Sequence, residues 1–213
     1  MQFDYEKDPH QIEVNSFKQI RSLVELDYLD QYEQQVVMRV IHSLGMPELL
    51  NSIRFSKAAC QQGMRALKNK QPIICDVEMV KSGITKRMID NPPLCFLNQP
   101  AVLQRAQAFG ETRSMAQVES WLPHLEGAIV VIGNAPTALF RLLEMIDQYK
   151  VKPALIIGMP VGFIGAAEAK QALWDCHKDL AIACITLLGH VGGSAVASAS
   201  CNALLRCIRE EFY

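Results

Sequence analysis

The second half of the chain alternates short apolar runs with amphipathic stretches, three times over. "GAIVVIG" (127–133) meets the turn "NAPT" and then "ALFRLLEMIDQY", where Leu139, Leu142, Leu143 and Ile146 recur at helical spacing and mark one face. "PALIIG" (153–158) leads into "MPVGFIGAAEAKQALW", and "IACITLL" (182–188) leads into "GHVGGSAVASAS". Two earlier runs, "PIICDVEMV" (72–80) and "LCFLN" (94–98), supply two further strands. Five short apolar strands separated by helical segments predict an α/β fold with a mostly parallel sheet covered by helices on both faces.

The first 70 residues read as helix. "DPHQIEVNSFKQIRSL" opens with Asp-Pro, a favourable helix start, and places Ile12, Ser16, Gln19 and Leu23 near one face. "LDQYEQQVVMRVIHSLGM" is a second helix, with Val37, Val40, Ile41 and Leu44 as its core stripe and Gly45 as its stop. Arg39 and His42, three apart, lie together beside that stripe. Nothing linker-like or repetitive separates this part from the rest, so one domain over residues 1–213 is expected.

Open parallel sheets bind ligands beyond the carboxyl ends of their strands, at a topological switch point. "GNAPT", "GMPVGFIG" and "GHVGGS" all fall there, and together they make a broad glycine-rich floor. Gly189, Gly192 and Gly193 match neither the dinucleotide fingerprint nor the nucleotide-binding loop, and no Lys follows the last of them. Each loop taken singly is also compatible with glycines that only serve tight turns.

Composition narrows the classes. A net charge of -1 argues against a nucleic-acid binder. "MQFDYEKDPH" lacks the regions of a signal peptide, and no apolar run approaches the roughly 20 residues that cross a bilayer, so a cytoplasmic protein without membrane contact is expected. The seven cysteines are odd in number and include no C-x-x-C, and no two of the five histidines have helical ligand spacing. Neither a disulfide framework nor a bound metal is expected from those spacings.

Several blocks carry a family resemblance: "RVIHSLGM", "IRFS", "ICDVEMVKSGIT", "TRSMAQVESWLPHLEGAIVVIGNAPTALFRLLEM", "PALIIGMPVGFIGAAEAK" and "GGSAVASASCNALL". Together they resemble the precorrin-8X methylmutase family of cobalamin biosynthesis, from about Tyr5 to Leu205. The resemblance implies an isomerase that shifts a methyl group between adjacent ring carbons of a tetrapyrrole, cobalt-free or cobalt-bearing, to give hydrogenobyrinate. It implies a flavodoxin-like three-layer fold, a homodimer with active sites near the subunit interface, and no cofactor.

Within that resemblance His42 matches the catalytic histidine, and Arg39 and Ser16 match substrate contacts. Thr85, Arg113, Ser114, Asn134, Gly192, Gly193 and Ser194 are further substrate-binding candidates, and the polar side chains among them are equally compatible with cap or turn roles. The chemistry agrees. An intramolecular methyl shift needs no nucleophile, but it does need a placed proton, and histidine titrates near neutrality. A polycarboxylate ligand calls for Arg and backbone amides as donors. One departure stands out: His190 and Val191 occupy positions where the family commonly carries two basic residues. A flavin- or nucleotide-binding protein of similar architecture, or a corrinoid carrier without catalysis, are the alternatives.

Overall fold

The computed structural model describes residues 1–213. Helices α1 (Pro9–Leu23) and α2 (Gln31–Leu44) precede strand β1 (Ile53–Phe55), helix α3 (Ala59–Lys68) and strand β2 (Ile73–Cys75). Three helices follow: α4 (Glu78–Gly83), α5 (Pro100–Phe109) and α6 (Arg113–Ala116). The chain then alternates regularly through β3 (Ile129–Ile132), α7 (Pro136–Tyr149), β4 (Leu155–Gly158), α8 (Ala166–Cys176), β5 (Cys184–Leu187) and α9 (Ser194–Ile208). The five strands form one sheet in the order β1-β5-β4-β3-β2, with β1 antiparallel to β5 and the other pairs parallel.

Side chains alternate across the parallel strands and so build two cores. Ile73, Cys75, Ile129, Val131, Leu155 and Ile157 face a core shared with α1, α2, α3, α4 and α9. Ile74, Val130, Ile132, Ile156 and Cys184 face a second core filled by α7, α8 and the 3-10 segment Gln117–His124. This is the expected three-layer α/β arrangement. The stripe read on α7 is fully used, with Leu139, Leu142, Leu143 and Ile146 all buried.

Three expectations are corrected. Residues 94–98 make no strand: Leu94 forms a single bridge with Ile74, and the N–H of Phe96 goes to the Gln117 side chain at 3.2 Å. Pro92 and Pro93, which carry no N–H, stop the ladder from extending backwards. The fifth strand is instead β1, three residues long with Arg54 at its centre, too short and too polar to stand out in the pattern. The four parallel strands run in sequence order, so no reversal of direction occurs between neighbours and no switch-point crevice forms. The glycine-rich loops line one edge instead.

On α1 the buried face is Phe17 and Ile20, whereas Ile12 and Leu23 are exposed. The helix start is as read: Asp8 accepts from the N–H of His10 at 2.9 Å, with Pro9 in the first turn.

Candidate active site

At the carboxyl edge of the sheet, β2 is followed directly by Asp76, whose side chain is fully buried. Its carboxylate accepts from the backbone N–H groups of Gly133 at 3.0 Å, Asn134 at 2.8 Å and Ala135 at 2.9 Å. One acid thereby holds the whole turn between β3 and α7. Burial pushes the Asp76 pKa above the usual carboxylate value, against the pull of those three donors. The turn is also tight. A Cβ on Gly133 would lie 2.8 Å from the Cα of Ser194 at the start of α9.

A cleft of about 390 Å³ opens beside this turn. Its apolar wall is Val77, Met79 and Leu97, and Met79 is 72% exposed. Its polar wall is Thr112, Arg113, Ser114, Asn134 and Ser194. Four of the residues proposed from sequence therefore meet in one place, although they come from three separate segments. Arg113 and Ser114 open α6 behind its cap Thr112, whose hydroxyl accepts from Met115 N–H at 3.1 Å and pairs with Thr137 at 2.8 Å. The Arg113 guanidinium is exposed, with one long contact of 3.5 Å to Asn98.

The glycine loop after β5 runs into this wall. Gly193 N–H donates to Met159 O at 2.9 Å, and Gly162 N–H donates to His190 O at 3.3 Å. A Cβ on Gly192 would sit 2.4 Å from Met159 O and 2.6 Å from Pro160 O, so the backbone lies directly on the neighbouring loop. His190 stacks on Phe163 at 5.7 Å and its Nδ1 is 3.2 Å from Gly162 O, while Val191 packs against the first core. His190 thus ties two loops together, and Val191 serves packing.

Helix α9 leads away from the cleft along a winding stripe of Ser194, Ser198, Asn202 and Arg206, each four residues on. Asn202 accepts from Thr85 N–H at 2.9 Å and donates to Gly83 O at 2.8 Å, so Thr85 sits partway along, held by its backbone. Arg206 lies about 18 Å beyond Ser194 at the helical rise per residue.

Around Arg206 is the second group of proposed residues. Arg39 contacts Glu13 at 2.6 Å and Arg206 contacts the same carboxylate oxygen at 3.1 Å. The Arg39 guanidinium lies over Phe17 at 4.5 Å and over Tyr213 at 4.9 Å, and its Nε is buried without a partner. Phe17 stacks on Tyr213 (4.2 Å) and on His42 (5.2 Å). His42 ends this aromatic stack, exposed, and its ring makes no hydrogen bond within the chain. Burial opposes ionisation of Glu13, but the Tyr213 hydroxyl, Arg39 and Arg206 outweigh it and hold its pKa below the usual range. Ser16 is half-buried one residue before Phe17, and its hydroxyl donates to Ile12 O at 2.7 Å.

Other chemistry is not arranged here. All seven cysteines are free, and burial pushes the thiols of Cys95 and Cys207 up to about 11 and those of Cys184 and Cys201 up to about 12. None is a thiolate at neutral pH. No group of three His, Cys, Asp or Glu side chains is placed to hold a metal ion. A cavity of about 320 Å³ opens near the start of β2, lined by Lys68, Pro72, Met88 and Asp90 among others, and it contains none of the proposed residues. Sequence reasoning missed Asp76, whose signal was an acid ending an apolar strand at the edge where ligands bind.

Residues 11–207 match the family profile described as precorrin-8X methylmutase. A precorrin-8X methylmutase of Pseudomonas aeruginosa is 43% identical over 203 residues, covering 94% of this chain and 97% of that protein. A cobalt-precorrin-8 methylmutase of Salmonella typhimurium is 38% identical, covering 97% and 99%. The solved structure of a precorrin-8X methylmutase from Thermus thermophilus superposes with a TM-score of 0.86 at 33% identity, covering 96% of this chain and 98% of that one. The matched stretch contains every residue of both clusters except Tyr213, which lies just beyond it. The chain belongs to the precorrin-8X methylmutase family.

Proposed function

We propose that this isomerase of cobalamin biosynthesis moves a methyl group between neighbouring ring carbons of precorrin-8X or cobalt-precorrin-8, with His42 as proton donor and a homodimer as the working unit. The observation that carries the reading is that residues proposed from sequence gather into two groups, each suited to one half of the task. The cleft offers Arg113, Ser114, Asn134 and Ser194 as uncharged and cationic contacts beside an apolar wall, which suits a flat ring bearing carboxylates. The stack of Tyr213, Phe17 and His42 holds an exposed imidazole at a fixed position, free to give a proton to the rearranging π-system. Atoms balance without a co-reactant, because the methyl group leaves one ring carbon and joins its neighbour, and the proton that His42 lends is matched by one lost from the rearranged ligand, which restores the imidazolium. The reading needs no nucleophile, organic cofactor or resident metal. Cobalt, where present, belongs to the substrate.

Arg39 and Ser16 hold the substrate beside His42, and Gly192 meets it through its unpartnered backbone N–H, while Thr85 and Gly193, whose N–H groups go to Asn202 and Met159, line its approach. The two groups are separated by most of the length of α9, about 18 Å at the helical rise. A second copy that sets its α1–α2 face against the cleft brings them to one ligand. Phe163 and Ile164, 89% and 92% exposed in the loop after β4, supply apolar surface for such a contact. No helix is long and apolar enough to cross a membrane, and a cytoplasmic enzyme of one domain fits the reading.

Incubating the protein separately with precorrin-8X and cobalt-precorrin-8 tests the activity, read as the absorbance change on forming the hydrogenobyrinate chromophore. Conversion of either supports it. Binding of both without conversion leaves only a corrinoid carrier. Light scattering at micromolar concentration tests the dimer, with twice the chain mass expected and a fully active monomer sinking it.

A further inference from the structure

Helix α8 carries a lysine that the proposed reaction does not use. Lys170 is fully buried, and no carboxylate lies within ion-pair distance of it. Buried charges are ordinarily paired, because an ammonium loses its hydration on burial and needs compensating partners. The contact that Lys170 does make is to backbone: its Nζ donates to Val191 O at 2.6 Å, in the glycine loop that leads to the cleft.

A trans peptide is planar, so its C=O and N–H point in opposite directions. With the Val191 carbonyl turned inward to Lys170, the N–H of Gly192 is turned outward, away from α8. That N–H donates to no acceptor in the chain. The rest of the loop is committed, with His190 O accepting from Gly162 N–H and Gly193 N–H given to Met159 O. Gly192 stands two residues before Ser194 of the cleft wall.

We infer that Lys170 is a positioning residue, a buried cation that orients the Val191–Gly192 peptide so that the Gly192 N–H is presented to a carboxylate of the tetrapyrrole. The inference rests on the methylmutase reading of the cleft. The ammonium also polarises the peptide it holds, which makes the outward N–H a better donor to an anion. Burial lowers the Lys170 pKa to about 8, and no charged side chain of α7, α8 or β5 contributes to that shift. The titratable neighbour along the loop is His190, whose ring is turned to Gly162 and Phe163. Carboxylates of the ligand are ionised throughout the alkaline range, so loss of the ammonium is the event that weakens the contact there.

The test is hydrogenobyrinate binding from pH 6 to pH 10, followed by absorbance, for the wild-type protein and Lys170→Met. Wild-type affinity should fall as the pH rises through about 8. Lys170→Met should bind about tenfold more weakly at pH 7 and show no alkaline limb. Equal affinity and equal pH profiles for the two proteins overturn the inference while leaving the methylmutase reading intact. A wild-type protein that binds no hydrogenobyrinate overturns both. If Lys170→Met does not fold, the amide resonance of Gly192 in the ligand-free wild-type protein decides. It should titrate near the same pH, and a flat response there overturns the inference.

Discussion

The two ends of α9 present opposite electrostatic designs. At its amino end, around the cleft, polar groups have few partners inside the chain: the Arg113 guanidinium reaches only Asn98, and the Gly192 N–H reaches nothing. At its carboxyl end, charges are matched before any ligand arrives. Glu13 serves both Arg39 and Arg206, and Glu211 takes a further contact from Arg206 at 3.2 Å. The cleft therefore has donors to spare and suits binding. The carboxyl-end cluster spends its charges on holding Phe17, Tyr213 and His42 in one stack, which suits placing a single reactive group. The proposed ligand contacts are spread over several segments, Arg39 and Ser16 among them, whereas proton donation needs one side chain at a fixed point.

The sharpest break of this contrast is His42→Asn. Removing the proposed proton donor should lower turnover by about two to four orders of magnitude while hydrogenobyrinate still binds, because other side chains make the proposed ligand contacts. Steady-state turnover and product titration measured side by side check this. Normal turnover would take the chemistry away from the aromatic stack.

Next in size is Asp76→Ala, which attacks the cleft from beneath. Three backbone N–H groups lose their acceptor in a buried site, and a single unsatisfied group costs about 1–3 kcal/mol, so a loss of about 3 kcal/mol or more is expected in urea unfolding. A loss under about 1 kcal/mol would show that water or a neighbour replaces the carboxylate and that the turn does not depend on it.

A smaller effect separates the two cationic groups. Arg39→Ala should weaken hydrogenobyrinate binding about ten- to a hundredfold, the scale of one charge-assisted contact. Arg113→Ala should cost affinity alone and leave turnover at saturation unchanged. If Arg39→Ala binds as the wild type does, its guanidinium is committed to Glu13 and takes no part in holding the ligand.

The smallest effect expected is that of His190→Arg. Because the imidazole is occupied with Gly162 O and Phe163, restoring a basic side chain should change product affinity at pH 8 by less than about threefold, as for exposed ion pairs in general. A tenfold gain would place this side chain against the ligand's carboxylates and move the anion contact outward from the backbone.

Local pattern carried much of the fold. The apolar runs at 127–133, 153–158 and 182–188 contain β3, β4 and β5, because strands buried on both faces must be apolar throughout. The stripes of α2 and α7 were legible for the same reason, each being a continuous face against one core. Where the pattern misled, a nonlocal partner decided. "LCFLN" is apolar enough for a strand, but prolines precede it and Gln117 claims the N–H of Phe96. The face of α1 could not be read because Phe17 is buried under Arg39 and Tyr213, residues that only folding brings near.

For the site, the sequence by itself determined which residue types were available and, through family resemblance, which positions to weigh. It singled out His42, Arg39 and Ser16 in the first fifth of the chain, and Arg113, Asn134 and Ser194 far downstream. Only the tertiary structure decided that these form two groups at opposite ends of one helix, because grouping depends on which loops share a sheet edge. It alone showed that Asp76 organises a turn 57 to 59 residues later. It alone showed that Lys170 points at a loop carbonyl 21 residues later. The physical reason is the same in both cases. A buried polar group is explained by its partner, and sequence separation says nothing about where a chain folds back to provide one.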